Sequence, residues 1–486
     1  MRVPLLENPE VPQTISLQMR YFFSLLTAAG LALSAALPAA EPVSVLADAP
    51  RWSDLAPYQK TITRAEFLRL LDTVYAPGGA WKECIEVGQN SARIRQPGHW
   101  GSDFRLEFAA SPAEALPPPR FWKAAPSSPS QPGKPLAGYT IALDPGHLGG
   151  RWAKMEERWF QIGNTKPVME GEMTLLTARH LAERLTALGA NVALIRKTSE
   201  PVTAERPSTL RGAARAELAR EGVVNPPEGY GGPNDPRKTE SVQWQSELLF
   251  YRIAEIRERA RRVNTQIRPD LVICLHCNAE EWGDPAHPQL TDKNHLHLLV
   301  NGNYHQGELA LADVRHEMLL KLLTRSASVE LPLSAQVASA MARATGLPPY
   351  EYHSGKARPA GSPYVWTRNL LASRLYRCPV VYCEPYVMNS QPVFERVQLG
   401  DYEGVRRVNG EDRKSLYHEY ADAVAEGVAA YFASLKRDPI RATIALCASP
   451  PPQGTIRTMP GLSLAVPSIG SKLASWMSFQ RAELLL

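Results

Sequence analysis

Three short apolar runs, each leading into a histidine or a glutamate, constrain this chain more than any other feature. Tyr139-Thr-Ile-Ala-Leu-Asp144 is followed by Pro-Gly-His147, and Asp270-Leu-Val-Ile-Cys-Leu275 by His276-Cys-Asn278. The third, Cys378-Pro-Val-Val-Tyr-Cys383, runs into Glu384. Runs this short and this rich in Val, Ile and Leu read as buried strands. Asn191-Val-Ala-Leu-Ile-Arg196 adds a fourth, and residues 295–300 a weaker fifth. Helical spacing fills the intervals near 171–188, 247–267, 334–345 and 414–435. Strands alternating with amphipathic helices predict an α/β fold, a mostly parallel sheet flanked by helices. In such sheets ligands gather at the carboxyl ends of the strands. His147, His276 and Glu384 all fall there, where an unpaired buried charge would be costly.

A further ligand has to come from another element. The helical pattern after residue 169 opens with Glu170 and Glu172, and its phase separates them. Seven and eleven residues on from Glu170 lie Thr177 and Leu181, on a stripe continued by Leu185 and Leu188. The same steps from Glu172 reach Arg179 and Glu183. Glu170 is therefore expected to face the sheet and Glu172 the solvent. Two imidazoles and a carboxylate, His147, His276 and Glu170, suit one tetrahedral Zn²⁺ with an open fourth position. Zinc lowers the pKa of a water to about 7 and polarises a carbonyl. Glu384, close to that water without being a ligand, is expected to take its proton and pass it to a leaving amine.

In this order the residues resemble a known family, the zinc-dependent N-acetylmuramoyl-L-alanine amidases of cell-wall hydrolysis (amidase type 3). Ile141-Ala-Leu-Asp-Pro-Gly-His147 is similar to the family's first ligand motif, and Glu170-Gly-Glu-Met-Thr-Leu175 to its acidic-ligand helix. Arg259-Ala-Arg-Arg-Val-Asn264 and the strand reaching His276-Cys-Asn278 resemble the approach to its second histidine. Pro379-Val-Val-Tyr-Cys-Glu384, with Asn389 after it, is similar to the catalytic-glutamate strand, and 420–432 to the final helix. The resemblance spans about 139–432 and implies a phosphorylase/hydrolase-like sheet and one zinc per chain. It also implies cleavage of the amide between the muramic-acid lactyl group and the stem peptide's L-alanine. Three departures bear on the cleft. Leu148 stands where the family has glycine, Pro385 and Tyr386 follow Glu384, and a long 147–170 interval carries Trp152, Arg158 and Trp159.

The rest of the chain frames this segment. Within residues 1–40, Met19-Arg20 precede an apolar run over 21–34 and small residues up to Ala40, the parts of a secretory signal peptide. Met19 is a candidate start alongside Met1. The run is short for a membrane span, so export to the periplasm or cell wall is expected, with no stable span after cleavage. Residues 41–114 read as a small accessory domain, 115–138 as a Pro/Ser-rich linker, 139–436 as the catalytic domain and 437–486 as a mobile tail. Insertions at 199–246 and 280–333 are either lids or surface decoration. The net charge of +5 suits an anionic wall, and dense basic blocks of the nucleic-acid-binding kind are missing. Peptidoglycan is the expected partner, with room for a regulatory protein.

Other residues have plainer readings. Cys274, Cys277, Cys378 and Cys383 sit in or beside strands as small hydrophobes rather than as a zinc cluster. Lone histidines His180, His295, His297, His305, His353 and His418 are expected to be ordinary polar residues. Asn278 supports the site or simply forms a turn. Two other functions stay open. A zinc exopeptidase would need an arginine clamp such as Arg374, and a non-catalytic wall-binding protein would need no intact site.

Overall fold

The runs leading to His147, His276 and Glu384 become strands buried on both faces of one sheet, while Asn191–Leu194 forms its half-buried edge. The computed structural model describes residues 42–96, 103–123, 133–281, 283–284 and 287–437. Its main sheet has seven strands: β1 (Thr140–Pro145), β2 (Asn191–Leu194), β3 (Leu271–Leu275), β4 (Leu296–Asn301), β5 (Arg358–Ser362), β6 (Val365–Arg368) and β7 (Val380–Pro385). Their order is β5-β6-β4-β7-β3-β1-β2. β2, β1, β3 and β7 run parallel, and all five residues of β3 are buried. A strand covered on both sides needs such an uninterrupted apolar run. β4 pairs antiparallel with β7, setting Glu384 opposite His297, and β6 runs parallel to β4. β5 ends the sheet as an antiparallel neighbour of β6. The mostly parallel α/β sheet expected from sequence is therefore present, with a mixed outer third.

Three long helices, α1 (Glu170–Ala187), α2 (Ala327–Thr345) and α3 (Leu416–Arg437), pack side by side, with α3 in the middle. The crossover from β1 out to β2 carries α1, and the return from β2 to β3 carries the helical run 242–267. Since parallel crossovers are right-handed as a rule, connections running in opposite directions along the sheet place their helices on opposite faces. α2 begins earlier than the periodicity near 334–345 indicates and runs through Pro332. Glu330, in the turn before the proline, anchors that extension: it accepts from buried Lys321 Nζ at 2.6 Å and from Val380 N at 3.0 Å.

The flanking segments are built onto this frame. A three-stranded antiparallel sheet (Ile85–Val87, Ser91–Ile94, Phe104–Glu107) follows the helix Arg64–Leu70. Phe67, Leu71, Tyr75 and Leu106 share one apolar cluster with Tyr304, Met318, Leu319 and Leu322 of the second insertion. The accessory segment thus has its apolar face covered by the insertion, through the helix Ala312–Leu323. The two ends of the Pro/Ser-rich stretch join the main core, with Trp122 and Leu136 buried, because their aromatic and apolar side chains outweigh the flanking prolines. In the first insertion, helix Arg211–Arg220 packs Ala214 and Leu218 with Leu148, Trp152 and Trp244, while 225–235 is irregular, as its prolines and glycines demand. The signal-like residues 1–40 and the tail from 438 lie outside the described residues. No helix among the described residues is long and apolar enough to cross a membrane. Cys84, Cys274, Cys277, Cys378 and Cys383 are all buried and unpaired.

Candidate metal centre

The site forms where β1, β3 and β7 end and α1 begins. Beyond β1 the chain turns sharply, and His147 has a left-handed backbone with φ of 56°. That conformation costs free energy in a non-glycine residue and persists only when neighbours hold it. Arg259 supplies the hold: its Nη1 donates to Asp144 Oδ1 and Pro145 O, both at 2.9 Å, and its Nη2 to His147 O at 3.3 Å. Tyr376 OH also donates to Asp144 Oδ2. Buried Arg196 ties the same turn to α1, donating from Nη2 to Gly171 O at 2.9 Å and Pro145 O at 3.3 Å.

Two glycines make the approach close enough. A Cβ on Gly146 would lie 2.2 Å from the His276 ring, and one on Gly171 would lie 2.2 Å from the Leu148 backbone. Real Cβ atoms are not found at such distances, so His276 sits directly over the first turn and α1 starts against it.

Glu170 lies between the two imidazoles and is 1% exposed. Its Oε2 is 3.4 Å from His147 Nε2, and its Oε1 is 3.3 Å from His276 Nδ1. The rings stand edge to face, their centroids 5.1 Å apart. Glu170 Oε1 also accepts from Cys277 N at 2.9 Å. Burial pushes the Glu170 carboxyl up, but the hydrogen bond with His276 and the Arg158 guanidinium outweigh it and hold the group below the usual carboxylate range, so it is ionised. Burial drives His147 well below its usual value, leaving a neutral imidazole. One ligand atom from each of His147, Glu170 and His276 lies within 4.8 Å of the others. Two imidazole nitrogens and an ionised carboxylate oxygen in this closeness fit a divalent zinc-class cation.

Glu172 faces away, accepting from Gly150 N at 2.9 Å and Ser199 Oγ at 2.6 Å. Helix phase separates the two acids, but Glu172 is half-buried against the turn at Gly149 and Gly150 instead of facing solvent. Glu384 leaves β7 on the same side as Tyr382, whose ring stacks on His276 at 4.5 Å. Burial raises the Glu384 carboxyl to about 7, with His276 and Arg158 pulling it down and Glu170 pushing it up. The structure thus brings His147, Glu170, His276 and Glu384 into one electrostatic neighbourhood.

Glu156 was missed in the sequence. It is buried, and its Oε2 lies 3.0 Å from His147 Nδ1 and accepts from Leu148 N at 3.0 Å. With Nδ1 donating to Glu156, the His147 tautomer is set and Nε2 faces Glu170. Burial raises the Glu156 carboxyl to about 7. The signal available was the general need of a ligating histidine for an outer carboxylate, and 147–170 was the interval to search. Arg158, noted in that interval, places Nε 3.4 Å from Glu170 Oε2. Asn278 forms no turn but continues the pairing beyond β3 and β7 as a parallel bridge to Val387, its backbone bonding Tyr386 and Met388 and its side chain accepting from Ala279 N at 2.8 Å. Asn389 ties down the following loop by exchanging bonds with the Glu280 backbone at 3.0 Å. Arg374 is committed elsewhere, paired with Glu317 at 2.6 Å, and offers no clamp to this site.

No family model matches the chain, and no curated protein matches it either. Solved structures similar to it include the N-acetylmuramyl-L-alanine amidase Ami1 from Mycobacterium abscessus, with 18% identity and a TM-score of 0.32 over 61% of this chain and 99% of that one. The CwlD amidase from Clostridioides difficile, determined in complex with the GerS lipoprotein, has 13% identity and a TM-score of 0.33 over 61% and 100%. AmiC2, an N-acetylmuramoyl-L-alanine amidase of Nostoc punctiforme, has 14% identity and a TM-score of 0.29 over 61% and 99%.

Proposed function

We propose that this chain is an N-acetylmuramoyl-L-alanine amidase, hydrolysing the amide between the muramic-acid lactyl group and the L-alanine of the peptidoglycan stem. The observation that carries the reading is the convergence of His147, buried Glu170 and His276 with Glu384 beside them. His147, Glu170 and His276 would hold one zinc, which when bound supplies Lewis acidity to the amide carbonyl and to water. Glu384 carries the proton: a carboxylate held near pKa 7 can accept one from the attacking water and return it to the leaving amine nitrogen. Glu156 keeps the His147 ring in one tautomer through Nδ1. Arg158 helps keep Glu170 ionised, so that it remains a ligand throughout the pH range of turnover. Export to the periplasm or cell wall follows from the substrate, as does the prospect of a regulatory partner over the cleft.

The zinc exopeptidase reading loses support because Arg374 is buried in its pair with Glu317. The wall-binding reading predicts no turnover. Incubating the zinc-loaded full chain with purified peptidoglycan separates all three. Free stem peptides with an L-alanine amino terminus are expected by mass spectrometry. Release of single amino acids instead would favour the exopeptidase, and intact peptidoglycan would overturn the amidase.

A further inference from the structure

Two histidines expected to be ordinary polar residues meet on the far side of α1. His180, in the middle of α1, and His418, in the first turns of α3, stack with ring centroids 3.9 Å apart. Asp401, in the loop after the helix Gln391–Leu399, lies between their edges. Its Oδ2 is 2.8 Å from His180 Nε2, and its Oδ1 is 3.5 Å from His418 Nε2. Ser415 Oγ donates to that Oδ1 at 2.8 Å and fixes the carboxylate. One ligand atom from each of the three residues falls within 4.8 Å of the others, the same closeness found at the first centre.

A satisfied hydrogen-bonded cluster would leave no loose ends, and this one does. The His418 side chain is 7% exposed, and its Nε2 is buried without a hydrogen-bond partner. A buried ring nitrogen without a partner forfeits the free energy of its lost hydration. That nitrogen points toward Asp401, with Glu403 Oε1 3.6 Å away on an exposed side chain able to close a fourth position.

We propose that His180, Asp401 and His418 form a second metal site, for one zinc-class divalent cation, that clips α1 to α3 and to the loop 400–404. Two imidazoles and a carboxylate are the donor set for a borderline cation rather than for calcium or magnesium. The site serves structure, since it is distinct from Glu384 and its neighbours. Its effect reaches them through α1, whose first residue is Glu170. Ligation through His418 Nε2 puts that ring's proton on Nδ1, where Arg184 Nη2 now lies at 3.1 Å. Arg184 is 37% exposed and already donates through Nε to Asp422 at 2.7 Å, so it turns outward on that bond when the cation enters.

Metal content of the full chain after equilibration with buffered zinc tests this without reference to turnover. The wild type is expected to retain about two equivalents, and His276→Gln, Asp401→Asn and His418→Gln about one each. Combining His276→Gln with Asp401→Asn is expected to leave none. A wild type with one equivalent that His276→Gln abolishes would overturn the proposal, as would a second equivalent that survives Asp401→Asn. If the buried His418→Gln variant does not fold, His180→Gln at the rim carries the same expectation. In the His276→Gln background, added zinc should raise the melting temperature. That rise should vanish in His180→Gln/His276→Gln, and its persistence there would also refute the site.

Discussion

Glu156 offers the sharpest test of how the first centre is assembled, because two substitutions separate its charge from its hydrogen bonds. Its Oε2 serves both His147 Nδ1 and Leu148 N at 3.0 Å from each. Glu156→Gln keeps an oxygen of the same size in the same place, so both bonds can survive and only the negative charge is lost. Glu156→Ala removes the acceptor altogether, freeing the His147 ring and leaving the buried Leu148 N–H without a partner. Outer carboxylates of this kind typically govern about 10–100-fold in metal affinity. The glutamine variant should therefore fall near the low end, about tenfold or about 1.4 kcal/mol. The alanine variant should reach about 100-fold, and the orphaned N–H should cost about 1–3 kcal/mol of folding stability as well.

Competition with a chromophoric chelator gives the zinc affinity, and urea unfolding of the metal-free proteins gives the stability term separately. If His180, Asp401 and His418 bind zinc too, both measurements belong in an Asp401→Asn background, where only one class of site remains. Wild-type affinity in a folded Glu156→Ala variant would refute the tautomer argument. Equal losses in the glutamine and alanine variants would show that charge matters and orientation does not.

Glu384→Gln should lower peptidoglycan turnover by about 10²–10⁴-fold while zinc content stays unchanged; metal loss would make Glu384 a ligand instead. Glu170→Ala should empty the first site and Glu172→Ala should not, as metal analysis of the two variants would reveal; the reverse pattern would overturn the placement of α1. Gly146→Ala forces a methyl to within 2.2 Å of the His276 ring as it now stands. It should cost about 1–3 kcal/mol in stability together with zinc affinity, whereas an unchanged melting temperature would mean that the turn relaxes freely. His297 provides a pH prediction: burial lowers it to about 3, helped by His295 and Arg368, and Tyr352 OH lies 3.0 Å from its Nε2. The unfolded chain takes up that proton below about 6.5 and the folded chain does not. Its contribution is therefore complete above about pH 6.5 and is lost as the pH falls toward 3, by up to about 1.4 kcal/mol per unit. Urea midpoints from pH 7 to 4 should fall less steeply in His297→Gln, and an unaltered slope would remove His297 from the account.

What could be read from sequence was whatever repeats with the period of its element. The β3 run and the phase that turns Glu170 toward the sheet are periodic signals, and the fold buries both. Glu156 carries no such signal. It follows a single turn of helix, Trp152–Met155, and precedes Glu157, whose φ of 56° breaks any regular pattern. His180 and His418 were passed over for a different reason. Each occupies an unremarkable position on its own helix, and only the packing of α1 against α3 makes them neighbours. The accessory segment showed its apolar stripe, but the surface that covers it belongs to residues more than two hundred positions later.

The sequence leaves the first insertion open as lid or surface decoration, and in the fold a buried chain of charges joins it to the ligand turn. Glu255 accepts from Val202 N at 2.9 Å and Thr203 N at 3.0 Å at the start of that insertion. The same carboxylate accepts from Arg259 Nε at 2.9 Å, and Arg259 in turn holds Asp144, Pro145 and His147. Arg259 and Asp144 are each 4% exposed, so neither charge can fall back on water if its partner moves. Such groups are strongly destabilising when one of them is removed, which makes the chain rigid in the direction that matters. A displacement of residues 202–203 would break buried bonds to Glu255, whose partner Arg259 holds the backbone of His147. The left-handed turn that aims the first ligand therefore depends on the insertion as well as on the strand that precedes it.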